Sequence, residues 1–280
     1  MQQDRRRVTG HSAERVGLFI AGVQKAGTTS LDVYLRSHPS LAGARVKEPH
    51  FFDDESLDWS NPPIERLHAL YPPPVTGTLR FEATPISSFW PHALERIQRY
   101  NATAKIILLL RDPIERAWSQ WSMQLDRGTE TLSFPEAIEA GPRRLISEPL
   151  GRAWRDHSYV ERGFYLYQIR RVLSLFPASQ VLFLESRGLA ADPVGTMARI
   201  AGFLDLAPFP PVSSLRERQN PVPDLAPQPK DILRLRDLFV ADARATVAVT
   251  GIDARHWPTL AADPVAAFLA SRRTETMGGP

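Results

Sequence analysis

The fold of this 280-residue chain is decided by residues 16–30, which read VGLFIAGVQKAGTTS. An apolar run of strand length (16–23) leads into a turn of small residues and then into an amphipathic stretch. Leu31, Tyr34 and Leu35 recur there at the i, i+3, i+4 spacing of a helix face, and the hydroxyls of residues 28–30 can cap its first turn. A strand, a glycine-containing loop and a helix in this order are typical of a phosphate-binding loop, in which backbone N–H groups and the helix N-terminus face an anion.

The rest of the chain repeats the alternation of strands and helices. Residues 105–110, KIILLL, form an apolar run bounded by an Arg-Asp-Pro turn, which is typical of a parallel strand buried on both faces. Further strands are expected at 78–82 and 180–185, and helices at 63–70, 114–124, 159–176, 193–204 and 229–248. This pattern predicts an α/β fold of the P-loop type: one doubly wound domain with a central parallel sheet flanked by helices.

We expect that domain to span residues 16–260, between a flexible tail at 1–15 and a C-terminal helix or tail at 261–280. Glycines and prolines among charged residues mark 127–158 as a possible lid or acceptor-facing insertion.

Composition narrows the class of protein. Hydrophobic residues at 43% and charged residues at 23% are globular values, and the absence of cysteine excludes disulfides, thiolate metal sites and a catalytic thiol. No apolar run reaches the ~18 residues of a membrane span, and the polar N-terminus has no signal-peptide core, so a cytoplasmic protein is expected. A net charge of +3 without clustered basic and aromatic motifs argues against nucleic-acid binding.

The position of Lys25 in the loop distinguishes it from an NTPase loop. The NTPase pattern places lysine directly after the second glycine, whereas Lys25 precedes Gly27. Three alternatives stay open at this point: a P-loop kinase or NTPase, a nucleotide-binding module without catalytic activity, and an ordinary strand-to-helix turn.

Residues 25–29 (KAGTT), taken together with residues 111–119 (RDPIERAWS), resemble the family of sulfotransferases that use 3′-phosphoadenosine 5′-phosphosulfate (PAPS). The resemblance implies that the first loop binds the 5′-phosphosulfate, and that Arg111 and Ser119 bind the 3′-phosphate. Lys25 would then stabilise the leaving phosphate, and the loop residues concerned are Lys25, Ala26, Gly27, Thr28, Thr29 and Ser30. An arginine at a strand end and a serine about two helical turns later can face one crevice. The other interpretation of Arg111 is an ion pair with Asp112 or Glu115.

Residues 47–52, KEPHFF, resemble a segment of the glycan branch of that family, the branch of the heparan sulfate sulfotransferases. The resemblance implies that Glu48 is the general base that takes the acceptor proton, with His50 as an orienting or auxiliary base that also lies on the acceptor side. The alternatives are a surface ion pair of Glu48 with Lys47 or Arg45, and a packed or capping role for His50.

Two further segments match less well. Residues 81–85 (FEATP) resemble a family segment that contributes to the acceptor side of the cleft, but Ala83 stands where relatives often have lysine, which weakens the case for a heavily anionic, heparan-like acceptor. For Glu82 three alternatives stay open: contact with the acceptor, orientation of Lys25 or His50, and a structural ion pair. Arg216 and Arg218 lie where relatives place a basic segment over the 3′-phosphate and adenosine.

The sequence therefore predicts transfer of a sulfuryl group from PAPS to a hydroxyl or amine of a glycan or small-molecule acceptor, with release of PAP and without a metal. It leaves open the identity of the acceptor and the oligomeric state.

Overall fold

The computed structural model describes residues 14–211 and 226–277. Their centre is one parallel sheet in the order β2-β3-β1-β4-β5. The strands are β1 Val16–Gly22, β2 Leu41–Gly43, β3 Leu79–Ala83, β4 Lys105–Leu110 and β5 Val181–Glu185. The predicted α/β class with a central parallel sheet is confirmed.

Helices connect and cover these strands. They are α1 Thr28–Arg36, α2 Ile64–His68, α3 Ala93–Tyr100, α4 Pro113–Asp126, α5 Phe134–Ser147, α6 Arg152–Asp156, α7 Tyr165–Leu175, α8 Ser186–Ala191, α9 Pro193–Leu204, α10 Pro229–Thr250 and α11 Pro264–Met277. None of the described helices combines the length and apolarity needed to cross a bilayer.

The two innermost strands are buried on both faces, which explains their unbroken apolar sequences. Every residue of β1 is buried, and so is β4 beyond Lys105. In register, Leu18 of β1 lies opposite Phe81 of β3, and Ile20 lies opposite Ile107 of β4. From β1 the chain first adds β2 and β3 on one side and then crosses to add β4 and β5 on the other, so the connections diverge at the carboxyl end of β1. Open α/β sheets bind ligands at such a switch point.

Helix α4 begins for a clear local reason. The Asp112 carboxylate caps it by accepting from the backbone N–H groups of Ile114 at 2.9 Å and Glu115 at 3.1 Å, and Pro113 occupies the first turn. The other Asp112 oxygen accepts from Thr259 N at 2.8 Å. The start of α4 is thereby joined to the segment between α10 and α11.

Residues 127–158 contain two helices, α5 and α6, that the sequence did not predict. Phe134 of α5 packs edge-on against Trp118 and Trp121 of α4, with ring centroids 4.9 and 5.5 Å apart. These rings belong to a second apolar cluster, formed mainly by α4, α5 and α10 beside the core of the sheet. The segment is therefore packed against the domain, and its function as a lid or acceptor-facing insertion stays a prediction.

Strand β2 and helices α3 and α8 were also not predicted. The other strands and helices lie within a few residues of their expected positions, apart from the helix expected at 159–176. That helix begins only at Tyr165, because residues 161–163 form a 3₁₀ turn.

Candidate functional site

The predicted anion-binding loop joins the carboxyl end of β1 to α1. Its backbone is held by Val23, whose N–H donates to the carbonyl of Leu109 in β4 at 2.8 Å. Gly22 allows a close approach, since a Cβ there would lie 2.5 Å from Ser88 Oγ. Lys25 and Gly27 adopt left-handed backbone angles, with φ of 72° and 90°.

The start of α1 differs from the expectation. Gly27 is the N-cap residue, so no side-chain hydroxyl caps the helix; residues 28–30 form its first turn instead. Ala26 and Thr28 are buried, Ser30 is half-buried and Thr29 is exposed. First-turn N–H groups that receive no side-chain cap are suited to an anionic ligand.

Arg111 lies directly against this loop. One terminal nitrogen of its guanidinium donates to the carbonyl of Lys25 at 3.2 Å, and its Nε lies 3.2 Å from Glu115 Oε2. The alternative interpretation, an ion pair with Glu115, is thus present, and it coexists with the contact to the loop. Glu115 also pairs with Arg187 at 3.1 Å, so the carboxylate that orients Arg111 is itself held from a second side.

Ser119 occupies a distinct place on α4. Every residue from Asp112 to Gln124 is buried except Ser119, which is half-buried. Lys25 Nζ approaches the same helix through a contact of 3.6 Å with Met123 Sδ. Helix α4 therefore runs past the loop with one accessible hydroxyl.

The predicted base lies in a strained segment, which we call the base loop (residues 47–53). Glu48 and His50 have positive φ angles of 56° and 52°. Among the described residues six non-glycine positions have positive φ, and Lys25, Glu48 and His50 are three of them. Such backbone costs of order 1–3 kcal/mol per residue and clusters at functional sites.

The charges of the base loop are paired. Lys47 Nζ donates to Glu48 Oε1, and His50 Nε2 lies 3.7 Å from Glu48 Oε2. The surface ion pair with Lys47 is therefore present as well. Burial opposes ionisation of Glu48, but His50 and Lys47 outweigh it and lower the pKa of Glu48 to about 2. Burial likewise opposes the charge on His50, yet hydrogen bonds to Asp53 and Glu48 raise its pKa to about 9.

Asp53 is a site residue that the sequence interpretation missed. It is fully buried, and its Oδ2 lies 2.7 Å from His50 Nδ1. Arg155 of α6 donates to the same oxygen and, at 2.5 Å, to the Asp53 carbonyl. The three-residue spacing from His50 was the only available signal, because Arg155 is far away in sequence. Burial tends to raise the pKa of Asp53, but His50 and Arg155 hold it below its ordinary value.

Glu82 lies at the end of β3 and is almost completely buried, at 2% exposure. No ion pair to Glu82 is found among the described residues, and its Oε2 has no hydrogen-bond partner there, which removes the structural ion pair as an interpretation. Burial, together with the nearby charge of Asp53, raises the pKa of Glu82 to about 7. Contact with an acceptor stays a prediction for this residue.

The structure thus brings together at one edge of the sheet the loop at the end of β1, Arg111 after β4, and Glu82 at the end of β3. Asp53 and His50 of the base loop lie close enough to Glu82 for their charges to act on its pKa, Asp53 raising it and His50 lowering it. Arg216 and Arg218 lie outside the described residues.

Comparison with known proteins shows which family the chain belongs to. The family model described as sulfotransferase domain matches residues 17–217. Heparan sulfate glucosamine 3-O-sulfotransferase 6 of Mus musculus is 33% identical over 191 residues, which is 67% of this chain and 52% of that protein. The bifunctional heparan sulfate N-deacetylase/N-sulfotransferase 3 of Homo sapiens is 32% identical over 204 residues, or 68% of this chain and 22% of that protein.

The chain therefore spans about half the length of the first of these relatives and less of the second. Among solved structures, the sulfotransferase from Alicyclobacillus acidocaldarius superposes with a TM-score of 0.72 at 27% identity, covering 87% of this chain and 98% of that one. The family-model match covers well over half of the chain, from β1 past α9, and so includes the anion loop, the base loop and Arg111. The chain belongs to the sulfotransferase domain family.

Proposed function

We propose that this chain transfers a sulfuryl group from PAPS to a hydroxyl or amine of a glycan or small-molecule acceptor and releases PAP. The observation that carries the proposal is the joint presence, in a chain of this family, of an uncapped loop with Lys25 at the end of β1 and a base loop in which Glu48 contacts both Lys47 and His50.

The residues present fit a donor with two separated anionic ends. When bound, PAPS supplies the sulfuryl group. The uncapped first turn of α1 and Lys25 would hold the 5′ end and neutralise the charge that develops on the leaving phosphate. Arg111, already oriented by Glu115, and the accessible hydroxyl of Ser119 would hold the 3′-phosphate, because a guanidinium fork suits a multi-oxygen anion.

Glu48 is the group we propose to take the acceptor proton. With His50 at a pKa of about 9, both ring nitrogens carry protons at neutral pH, so His50 has no lone pair to accept another. His50 instead orients Glu48 and keeps it ionised. A pKa of about 2 makes Glu48 a weak base in this state, so the acceptor must displace Lys47 or His50 from the carboxylate for proton transfer to become favourable.

The similar heparan sulfate enzymes favour a glycan acceptor, while Ala83, standing where relatives often carry lysine, argues for an acceptor less strongly anionic than heparan sulfate. Cytoplasmic localisation remains a prediction that the comparisons do not address.

Calorimetric titration of the purified protein with PAP, and separately with ATP and Mg²⁺, tests the donor. We expect micromolar or tighter binding of PAP and weak binding of ATP. The reverse preference would move the chain to the kinase class and remove the functions proposed for Arg111 and Ser119.

Transfer from ³⁵S-labelled PAPS to heparan sulfate, to unsulfated heparosan and to a phenolic glycoside tests the acceptor and the base. Glu48→Gln should lower turnover by ~10²–10⁴-fold, the usual contribution of a positioned base, while PAP affinity stays within about threefold. Glu65→Gln, at an exposed position of α2, is the matched control and should change neither. Parallel loss of turnover and PAP binding in Glu48→Gln would show that Glu48 supports the donor site and is not the base.

A further inference from the structure

Arg162 is a buried arginine without an acidic partner among the described residues. Its side chain is 1% exposed, and it lies in the 3₁₀ turn Glu161–Gly163 before α7. No carboxylate lies within ion-pair distance of it in the described part of the chain, and its Nε has no acceptor there. Asp156 and Asp53 act on Arg162 only from beyond ion-pair distance. Burial of a guanidinium without a direct carboxylate partner is costly, so its position is better explained by what it connects than by stability.

Its terminal nitrogens connect two parts of the site. One donates to Gln24 Oε1, in the anion-binding loop between β1 and α1, which we call the donor loop because it is proposed to bind PAPS. The other donates to the carbonyls of Trp154 at 2.6 Å and Arg155 at 2.7 Å. These carbonyls belong to the last turn of α6, where the helix itself offers no donors, so the guanidinium also caps that helix end.

Helix α6 in turn holds the base loop. The Arg155 side chain stacks over Trp90, with Cζ 4.2 Å from the ring centroid, and donates to the side chain and carbonyl of Asp53. Asp53 contacts His50 Nδ1 at 2.7 Å, and His50 faces Glu48. An unbroken chain of hydrogen bonds therefore runs from Gln24 through Arg162, the end of α6, Arg155 and Asp53 to His50.

We propose that Arg162 is a positioning residue that couples the donor loop to the base loop. A nucleotide bound at the donor loop then changes the position and hydrogen bonding of the His50 ring. The planar fork of arginine suits this geometry, because one terminal nitrogen donates to Gln24 while the other donates to the two carbonyls. A lysine ammonium offers its three donors from a single atom and cannot reach both sides at once in this way. The inference rests on the proposed function, since it takes PAP as the ligand of the donor loop.

The test is the imidazole ¹⁵N spectrum of the full chain at fixed pH 7, with and without saturating PAP. The protein has seven histidines, and the spectrum of a His50→Gln variant assigns the His50 signals. In the wild type we expect PAP to shift these signals. In Arg162→Lys the shift should fall at least threefold although PAP still binds, as checked by calorimetry.

Gln24→Ala is the second variant and covers the case in which Arg162→Lys does not fold. Gln24 is only half-buried, so its truncation leaves the buried hydrogen bonds of Arg162 to α6 in place. It should also lose most of the His50 response at saturating PAP. Arg144→Lys is the matched control: Arg144 pairs with Glu130 and touches neither loop, so its His50 response should equal that of the wild type.

The coupling is overturned if the variants that fold show the full wild-type shift of the His50 signals. It is also overturned if saturating PAP does not shift the His50 signals of the wild type. Either result leaves the donor assignment intact. Failure of the wild type to bind PAP overturns both the coupling and the proposed function.

Discussion

Replacing Glu82 with Gln should remove a pH-dependent cost to stability that the buried carboxyl imposes. Burial raises the pKa of Glu82 from the ordinary 4.5 to about 7 in the folded protein. The folded state therefore binds a proton more tightly than the unfolded state, so the stability associated with Glu82 is fully present below pH 4.5 and is lost as pH rises through 7. At ~1.4 kcal/mol per pKa unit, the cost at pH 8 is ~3 kcal/mol.

The assay is urea denaturation of wild type and Glu82→Gln at pH 5, 6, 7 and 8. A glutamine keeps the shape of the protonated acid without the titration. Because part of the cost is already present at pH 5, the free energy of unfolding of the variant relative to wild type should rise by about 2 to 3 kcal/mol from pH 5 to pH 8.

The matched control is Glu95→Gln. The hydrogen bonds of Arg171 hold the pKa of Glu95 below its ordinary value, so Glu95 stays ionised in the folded state from pH 5 to 8 and its unfolded state is already mostly ionised at pH 5. Its effect should be constant over that range. A difference between wild type and Glu82→Gln that is also constant from pH 5 to pH 8 would refute the reasoning, because it would mean that Glu82 is solvated or paired in the folded protein.

Three further results are expected. Asp53→Asn should bring the pKa of His50 down from about 9 toward its ordinary 6.5, since a carboxylate partner is lost; an NMR titration measures it, and an unmoved pKa would contradict the pairing. Trp121→Ala should lower the free energy of unfolding by about 3–5 kcal/mol, because a 2% exposed indole leaves a cavity in the second apolar cluster; a loss below 1 kcal/mol in urea denaturation would count against that packing. Gly163→Ala should cost about 1–3 kcal/mol by the same assay, since its Cβ would lie 2.6 Å from the Phe239 ring; a neutral effect would mean that the ring moves aside.

The unit of strand β1, the loop after it and helix α1, together with strand β4, could be predicted because the signals are contiguous. Strands β1 and β4 are covered on both faces, so burial alone requires the unbroken apolar runs by which they were identified. The turn with Lys25 and Gly27 follows β1 directly, and Arg111 follows β4 directly. Strands β1 and β4 are parallel neighbours, so their carboxyl ends lie at the same edge of the sheet. This pairing alone brings Arg111 close to the loop.

Local sequence predicted the structure less well where an element is short or where a contact joins segments that are distant in sequence. Strand β2 has three residues, too few for an alternating pattern, and α5 and α6 lie among glycines and prolines that indicated a loop. Asp53 contacts Arg155 across 102 positions of sequence. No periodicity encodes such a pair.

By itself the sequence determined the fold class, the position of the loop between β1 and α1, and the residue types available for chemistry, because each depends on neighbours along the chain. Only the tertiary structure decided the pKa values in the candidate site: burial raises the pKa of Glu82 to about 7, and hydrogen bonds to Asp53 and Glu48 raise the pKa of His50 to about 9. Desolvation and charge pairing depend on which segments pack together in space. The order of the strands and the position of α6 against the base loop decide this packing, and residue spacing along the chain specifies neither.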